Sequence, residues 1–223
     1  MLLNDNFSVR AMVHAAAMPW VQSPTQGVER RMLFRIGEEK ARATSIVRYA
    51  PGSVFPHHGH PGGEEILVLD GVFQDESGDY PAGSYMRNPP GTHHTPASAQ
   101  GCLIFVKLWQ FRKDDDTLVA LRVNDTPAAA WPGVAASRKL FDNGHEEVRL
   151  EEWQPDSDVE IANPRGLELL VLGGEFSDGA ERADRLSWLR LPPGAHLKAR
   201  TGPAGARVWI KAGALLQENI CEF

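Results

Sequence analysis

The sequence predicts an all-β protein built as two tandem barrels, and two observations carry that prediction. The chain is a succession of short apolar runs, each ended by a turn signal, and its second half repeats its first. The runs are ATSIVRYAPG, EEILVLDGVFQD, GSYMRNPPG, GCLIFVKLWQF, LELLVLGGEFSD, LSWLRLPPG and ARVWIKAGALL. Most carry β-branched or aromatic residues and stop at Gly, Pro, Asn or Asp, which set turns. Many short strands spaced in this way point to a sandwich or barrel. Helical periodicity is weak: the best helix candidate, VHAAAMPW, is broken at Pro19.

The repeat has three parts. GEEILVLDGVF (63–73) matches GLELLVLGGEF (166–176), RNPPGTHH (87–94) matches RLPPGAHL (190–197), and GCLIFVKL (101–108) matches GARVWIKA (205–212). Three matches in one order at a nearly constant offset mean duplication of a folding unit. The Pro- and Ala-rich stretch VNDTPAAAWPG, at 123–133, is the expected connection, which divides the chain into 1–122 and 123–223, each the size of one small barrel.

Composition narrows the setting. With 29 acidic against 23 basic residues the net charge is -6, and no basic stripe interleaved with aromatics is present, so no direct nucleic-acid partner is expected. The start of the chain lacks a basic segment followed by a long apolar core, and no run reaches the ~18 apolar residues of a membrane span. A cytoplasmic protein without membrane attachment is expected. Cys102 and Cys221 are the only cysteines, which leaves neither a disulfide framework nor a cysteine zinc cluster. Any metal has to be held by histidine and carboxylate.

Those residues crowd into GSVFPHHGHPGGEEILVLDG, 52–71. Alternate side chains of an extended strand share a face, so His58 and His60 point one way and His57 the other. The Pro-Gly-Gly turn then reverses the chain and brings Glu64, at the start of the next strand, close to the two imidazoles. Further on, NPPGTHHTP supplies another turn with His93 and His94, one of which completes a four-ligand set. Imidazole nitrogens with one carboxylate suit zinc, iron, manganese or nickel, and three histidines argue against calcium or magnesium.

Gly52, five residues, His58, one residue, His60, three residues, Glu64, six residues, Gly71 resembles the first conserved motif of the cupin superfamily without a departure in spacing. Gly83, five residues, Pro89, Pro90, Gly91, two residues, His94 resembles the second, except that the asparagine often ending it is replaced by Ala97 or Ser98. The wider wording, strongest over 46–110, is similar to the cupin domain of ChrR-like anti-sigma factors, which control stress-responsive sigma factors. The resemblance implies two double-stranded β-helix (jelly-roll) barrels, a bicupin. It also implies His58, His60, Glu64 and His94 as ligands of one divalent transition metal per chain, zinc or iron first, then manganese or nickel. His57, His93 and Glu65 are expected to face outward or to orient the ligands.

At the repeat offset Ile161, Asn163, Leu167 and Leu197 stand where His58, His60, Glu64 and His94 stand, so the second barrel is expected to serve packing, dimerisation or small-molecule binding. His196 is the counterpart of His93. Two functional classes follow. By the resemblance, the protein is a sensory or regulatory module of the response to singlet oxygen or oxidised products, acting with a sigma-factor pathway partner. The anti-sigma segment of that family is expected to carry a histidine with a nearby Cys-x-x-Cys, and residues 1–45 hold no cysteine, which leaves a stand-alone relative without that segment. The other class is a non-heme iron(II) dioxygenase, since similar cupins cleave carbon–carbon bonds of diketones and hydroxyketones. There His58, His60 and His94 would hold the iron, with Glu64 a ligand or base. A storage or scaffold bicupin is the third and plainest reading.

Overall fold

Each of the seven apolar runs becomes a strand, or the end of one, in the computed structural model, which describes every residue except Glu39, Ala180, Ala214, 216–218 and Phe223. Further strands such as Val28–Gly37, Val134–Asp142 and Glu147–Trp153 interleave charged with apolar residues and lack the dense apolar signature of those runs. The helix candidate VHAAAMPW is corrected. Its first residues extend the strand Ala11–His14, which pairs with Ser187–Leu191, and Ala15–Ala17 make a single 3-10 turn ahead of Pro19. So short a segment cannot recover the cost of nucleating a helix, whereas an edge strand gains its bonds from a sheet already formed. Among the described residues no helix is long and apolar enough to cross a membrane.

The chain forms two units. The first contains Met1–Asp5, Met18–Arg122 and Glu218–Phe223, the second Asn6–Ala17 and Val123–Gln217. A cut of the sequence into 1–122 and 123–223 would assign the two exchanged end segments to the other half. In the first unit the main sheet runs Val28–Gly37, Ala41–Tyr49, Cys102–Leu108, Glu64–Asp75, Ser84–Asn88, Val119–Arg122, with Leu2–Leu3 beyond Val28–Gly37. In the second it runs Val134–Asp142, Glu147–Trp153, Leu197–Ala212, Leu167–Ser177, Ser187–Leu191, Ala11–His14, with Ala128–Trp131 outermost. The two orders are the same strand for strand, and all pairings are antiparallel, in the manner of a jelly roll. Neither sheet closes on itself.

Inward faces hold the cores. Val28, Tyr49, Ile66, Val68, Phe73, Met86, Ile104 and Val106 cluster in the first unit. In the second unit Trp153, Leu167, Leu169, Val171, Phe176, Leu189, Val208 and Ile210 do so. Opposite faces of the same strands carry a buried charged set that both repeats keep. Glu65 lies beside Arg87 on one neighbouring strand and Lys107 on the other, and Glu168 lies in the same way beside Arg190 and Lys211. All six are at most 3% exposed.

One backbone requirement is duplicated as well. Gly71 and Gly174 have φ of 69° and 64°, and a Cβ on either would stand 2.1 Å from the carbonyl oxygen of Gly101 or Gly205 on the adjacent strand. Side chains rarely adopt that conformation, and here the neighbour is backbone that cannot swing aside. Gly71→Ala is expected to lower stability by at least ~2 kcal/mol, read as a drop in thermal midpoint. Gly83→Ala, with φ of 84° but no atom within 4 Å of the added Cβ, is expected to lose less; equal losses would show that the φ angle alone sets the cost.

Candidate metal centre

The four predicted residues come together. His58–His60 and Thr92–His94 form a two-stranded antiparallel ribbon, with His94 opposite His58 and Thr92 opposite His60. The turn at Pro61, Gly62 and Gly63 folds back under His60, whose carbonyl accepts from the Gly63 and Gly91 amides, and strand Glu64–Asp75 begins directly after it. One ligand atom from each of His58, His60, Glu64 and His94 can be chosen so that all lie within 4.8 Å of one another. The three rings stand 4.6–5.2 Å apart between centroids. His60, Glu64 and His94 are buried and His58 is half-buried.

What surrounds the rings decides their protonation. The Nδ1 of His58 lies 2.9 Å from the Pro56 carbonyl and that of His94 3.2 Å from the Asp75 carboxylate, so both must donate. The Nδ1 of His60 is 3.0 Å from the Thr92 hydroxyl, whose own proton goes to the Pro89 carbonyl at 2.8 Å, so this Nδ1 donates too. Each Nε2 is therefore left as a lone pair. The Nε2 atoms of His60 and His94 are buried without a hydrogen-bond partner, and each lies 3.3 Å from Glu64 Oε2. Asn88 donates to that same oxygen at 3.2 Å. Buried acceptors facing one another need a cation or a shared proton among them, and imidazole with carboxylate is the donor chemistry of a transition metal. Among the described residues no other His, Cys, Asp and Glu group is arranged in this way.

Burial also sets the acidities. It pushes His60 down to about 3, with His94 and His58 adding to the effect. His94 is lowered by burial too, against the pull of its Asp75 bond. Glu64 is pushed up to about 7, by burial first, with the Asn88 bond opposing and the charge of Asp75 adding.

Of the two roles expected for His57, His93 and Glu65, facing outward or orienting the ligands, the structure gives them the outward one. His57 and His93 are exposed and pack on each other at 5.1 Å, with His57 Nδ1 near the Thr95 hydroxyl. Glu65 turns to the opposite face, where it accepts from Tyr85 Oη at 2.7 Å and lies 3.8 Å from Arg87 Nη1. Thr92, Asp75, Asn88 and the Pro56 carbonyl do the orienting instead. In the second unit Ile161, Leu167 and Leu197 fill the equivalent places with core. Asn163, in place of His60, spends its amide on the Pro192 and Ala195 carbonyls and its oxygen on the Gly166 amide.

A cavity of about 350 Å³ opens beside the centre, walled by Val28, Val47, Tyr49, Phe55, Phe73, Ile104, Val106 and Leu108, with His58, His60 and Glu64 on its lining. Jelly rolls with histidines and a carboxylate gathered on one inner face are the cupin arrangement, and the fold of this chain is a cupin fold. More closely, residues 8–112 match the family of ChrR cupin-like domains. Among solved structures the fold is similar to that of a candidate dioxygenase from Nostoc punctiforme (TM-score 0.74, 15% identity, covering 97% of this chain and 87% of that one). It is similar to the protein Ylba of E. coli (0.71, 14%, 96% and 94%). A variant of Bacillus subtilis oxalate decarboxylase is also similar (0.65, 10%, 91% and 77%). No curated protein matches the sequence.

Two predictions follow from the geometry. Glu64→Gln is expected to weaken metal binding by about 10–100-fold, whereas Glu65→Gln leaves affinity nearly unchanged and lowers stability by about 1–3 kcal/mol. Titration of both variants with zinc and iron(II), beside thermal melts, checks this, and equal affinities would remove Glu64 from the site. For pH the sign is fixed by Glu64: below about 7 its carboxyl holds a proton that a metal must displace. Occupancy is expected to fall as pH drops from about 7 towards 4.5, with a proton released on binding at pH 6; flat occupancy over that range would exclude the site.

Proposed function

We propose that the protein binds one divalent transition metal per chain through His58, His60, Glu64 and His94, and that the metal acts on a small molecule held in the adjoining cavity, as in a non-heme iron(II) or manganese oxygenase or a related carbon–carbon bond-cleaving enzyme. The observation that carries this reading is the pair of buried, unpartnered Nε2 atoms of His60 and His94 beside Glu64, with His58, His60 and Glu64 on the lining of a largely apolar cavity. A bound metal would supply Lewis-acid chemistry and, if iron or manganese, redox chemistry towards O2. The protein's part is to hold the ligands through Thr92, Asp75, Asn88 and Pro56, and to keep water from the centre with Phe55 and Phe73, which lie against His58 and His94. The structural likeness to a candidate dioxygenase and to oxalate decarboxylase, whose Bacillus subtilis form has Mn(II) centres, supports metal-dependent chemistry.

A second reading has its own support. The match of residues 8–112 to ChrR cupin-like domains favours a sensor in a stress-responsive sigma-factor pathway, the small molecule then being a signal and not a substrate. Under either reading residues 1–122 carry the metal and 123–223 provide a metal-free barrel for packing or dimerisation, in a cytoplasmic protein with no nucleic-acid contact of its own.

Metal analysis of protein purified without added metal, followed by O2 consumption with simple β-diketones, separates the two. Iron with turnover supports the enzyme; zinc without turnover supports the sensor. One equivalent of metal per chain is expected, and His58→Ala combined with His60→Ala is expected to abolish it. Two equivalents, or full occupancy in the double variant, would overturn the assignment.

A further inference from the structure

Two polar side chains on the cavity wall have no part in holding a metal. Arg30, on strand Val28–Gly37 opposite Val47, lines the cavity. Its Nε is buried without a hydrogen bond, and no described carboxylate pairs with its guanidinium. Tyr49, opposite Val28 on the next strand, is 7% exposed and also lines the cavity. No described residue takes or gives a hydrogen bond at its hydroxyl, although a buried phenol ordinarily finds a partner. Its ring meets Phe73 edge-on at 6.0 Å, and Phe73 lies 5.9 Å from the ring of His94. The phenol is pushed up by burial first and then by the charge of Glu64, which puts it within electrostatic reach of the metal wall. Arg35 reaches the cavity as well, but its guanidinium donates to the Glu38 carbonyl.

The cavity therefore offers the Arg30 guanidinium and the Tyr49 phenol without a described partner, a metal wall, and a lining that is otherwise mostly hydrocarbon, with Ser23, Ser45 and Arg35 as its other polar side chains. A guanidinium matches a carboxylate in shape and charge, a phenol donates to one further oxygen, and apolar walls favour a hydrocarbon or aromatic tail. We propose that the ligand is a small oxygen-rich carboxylate with an apolar tail, of the 2-oxo acid class, its carboxylate held by Arg30 and another oxygen by Tyr49. The proposal rests on the metal reading, because the oxygen next to the carboxylate is what such a molecule would present to the metal.

Phenylpyruvate and its neutral methyl ester serve as probes, with binding measured by calorimetry on protein whose metal content has been determined. Wild type is expected to bind the acid at least about tenfold more tightly than the ester. Arg30→Met is expected to erase that preference, and Tyr49→Phe to weaken both probes, with metal content unchanged in each. The acid–ester comparison on wild type stands even if a variant fails to fold. Equal affinity for the two probes, no binding of either to metal-loaded protein, or a preference that survives Arg30→Met would overturn the proposal and leave the metal reading intact. Absence of metal with the acid still preferred would overturn the metal reading alone.

Discussion

The centre depends on where three protons sit. The Pro56 carbonyl, the Thr92 hydroxyl and the Asp75 carboxylate each claim an Nδ1 proton, and that leaves every Nε2 an acceptor. With the opposite tautomer at His60 or His94, an N–H would bond Glu64 and that part of the cluster would satisfy itself without a cation. The fixed tautomers, set in a buried place, turn a group of polar residues into a site with a standing demand for positive charge. The short ribbon, the Pro-Gly-Gly turn and the start of strand Glu64–Asp75 serve to hold those acceptors together against their mutual repulsion.

Beneath the site lies a scaffold that does not need it. Glu65 with Arg87 and Lys107, and Glu168 with Arg190 and Lys211, occupy equivalent rows in the two units, buried on the face turned away from each lumen. Arg87 reaches on to Asp115 at 2.5 Å, and Lys211 to Glu146 at 3.0 Å. Buried charges of this kind add little stability over apolar residues but are costly to break singly, so they discriminate sharply between correct and shifted strand pairing. The second unit has exchanged its lumen histidines for leucine, isoleucine and a fully bonded asparagine, yet keeps the charged row. Chemistry and architecture sit on opposite faces of the same strands, and one was lost without disturbing the other.

Much of this was legible in the sequence because strands alternate with period two. The seven apolar runs, the repeat, and the separation of Glu64 from Glu65 all follow from local spacing, as does the convergence of His58 and His60. The orienting groups were not legible. Asp75 stands eleven residues beyond Glu64 at the far end of the same strand, and reaches His94 only because that strand curls past the ribbon. The Pro56 contact is made by a backbone carbonyl, which leaves no mark in a sequence. Thr92, two residues before His94 on the same face, did carry a signal, since a hydroxyl aligned with a ligand on a paired strand is suited to orient the ring opposite. His57 and His93 attracted notice by type alone, and they meet each other at the surface instead.

The exchanged ends bear on how the chain reaches this state. Ala11–His14 completes the second unit's sheet, and Arg190 donates to the Asn6 carbonyl 184 positions away. Near the other terminus the Cys221 amide bonds the Phe111 carbonyl in the first unit. The second unit cannot finish its sheet from 123–223 alone, because Ala11–His14 supplies its last strand. On the ribosome Ala11–His14 must wait, unpaired, until Ser187–Leu191 has emerged, although every strand of the first unit's sheet lies within the first 122 residues. Ala11–His14 is then an exposed, unpaired segment for most of synthesis, and the second unit's sheet is completed only when the chain is nearly finished.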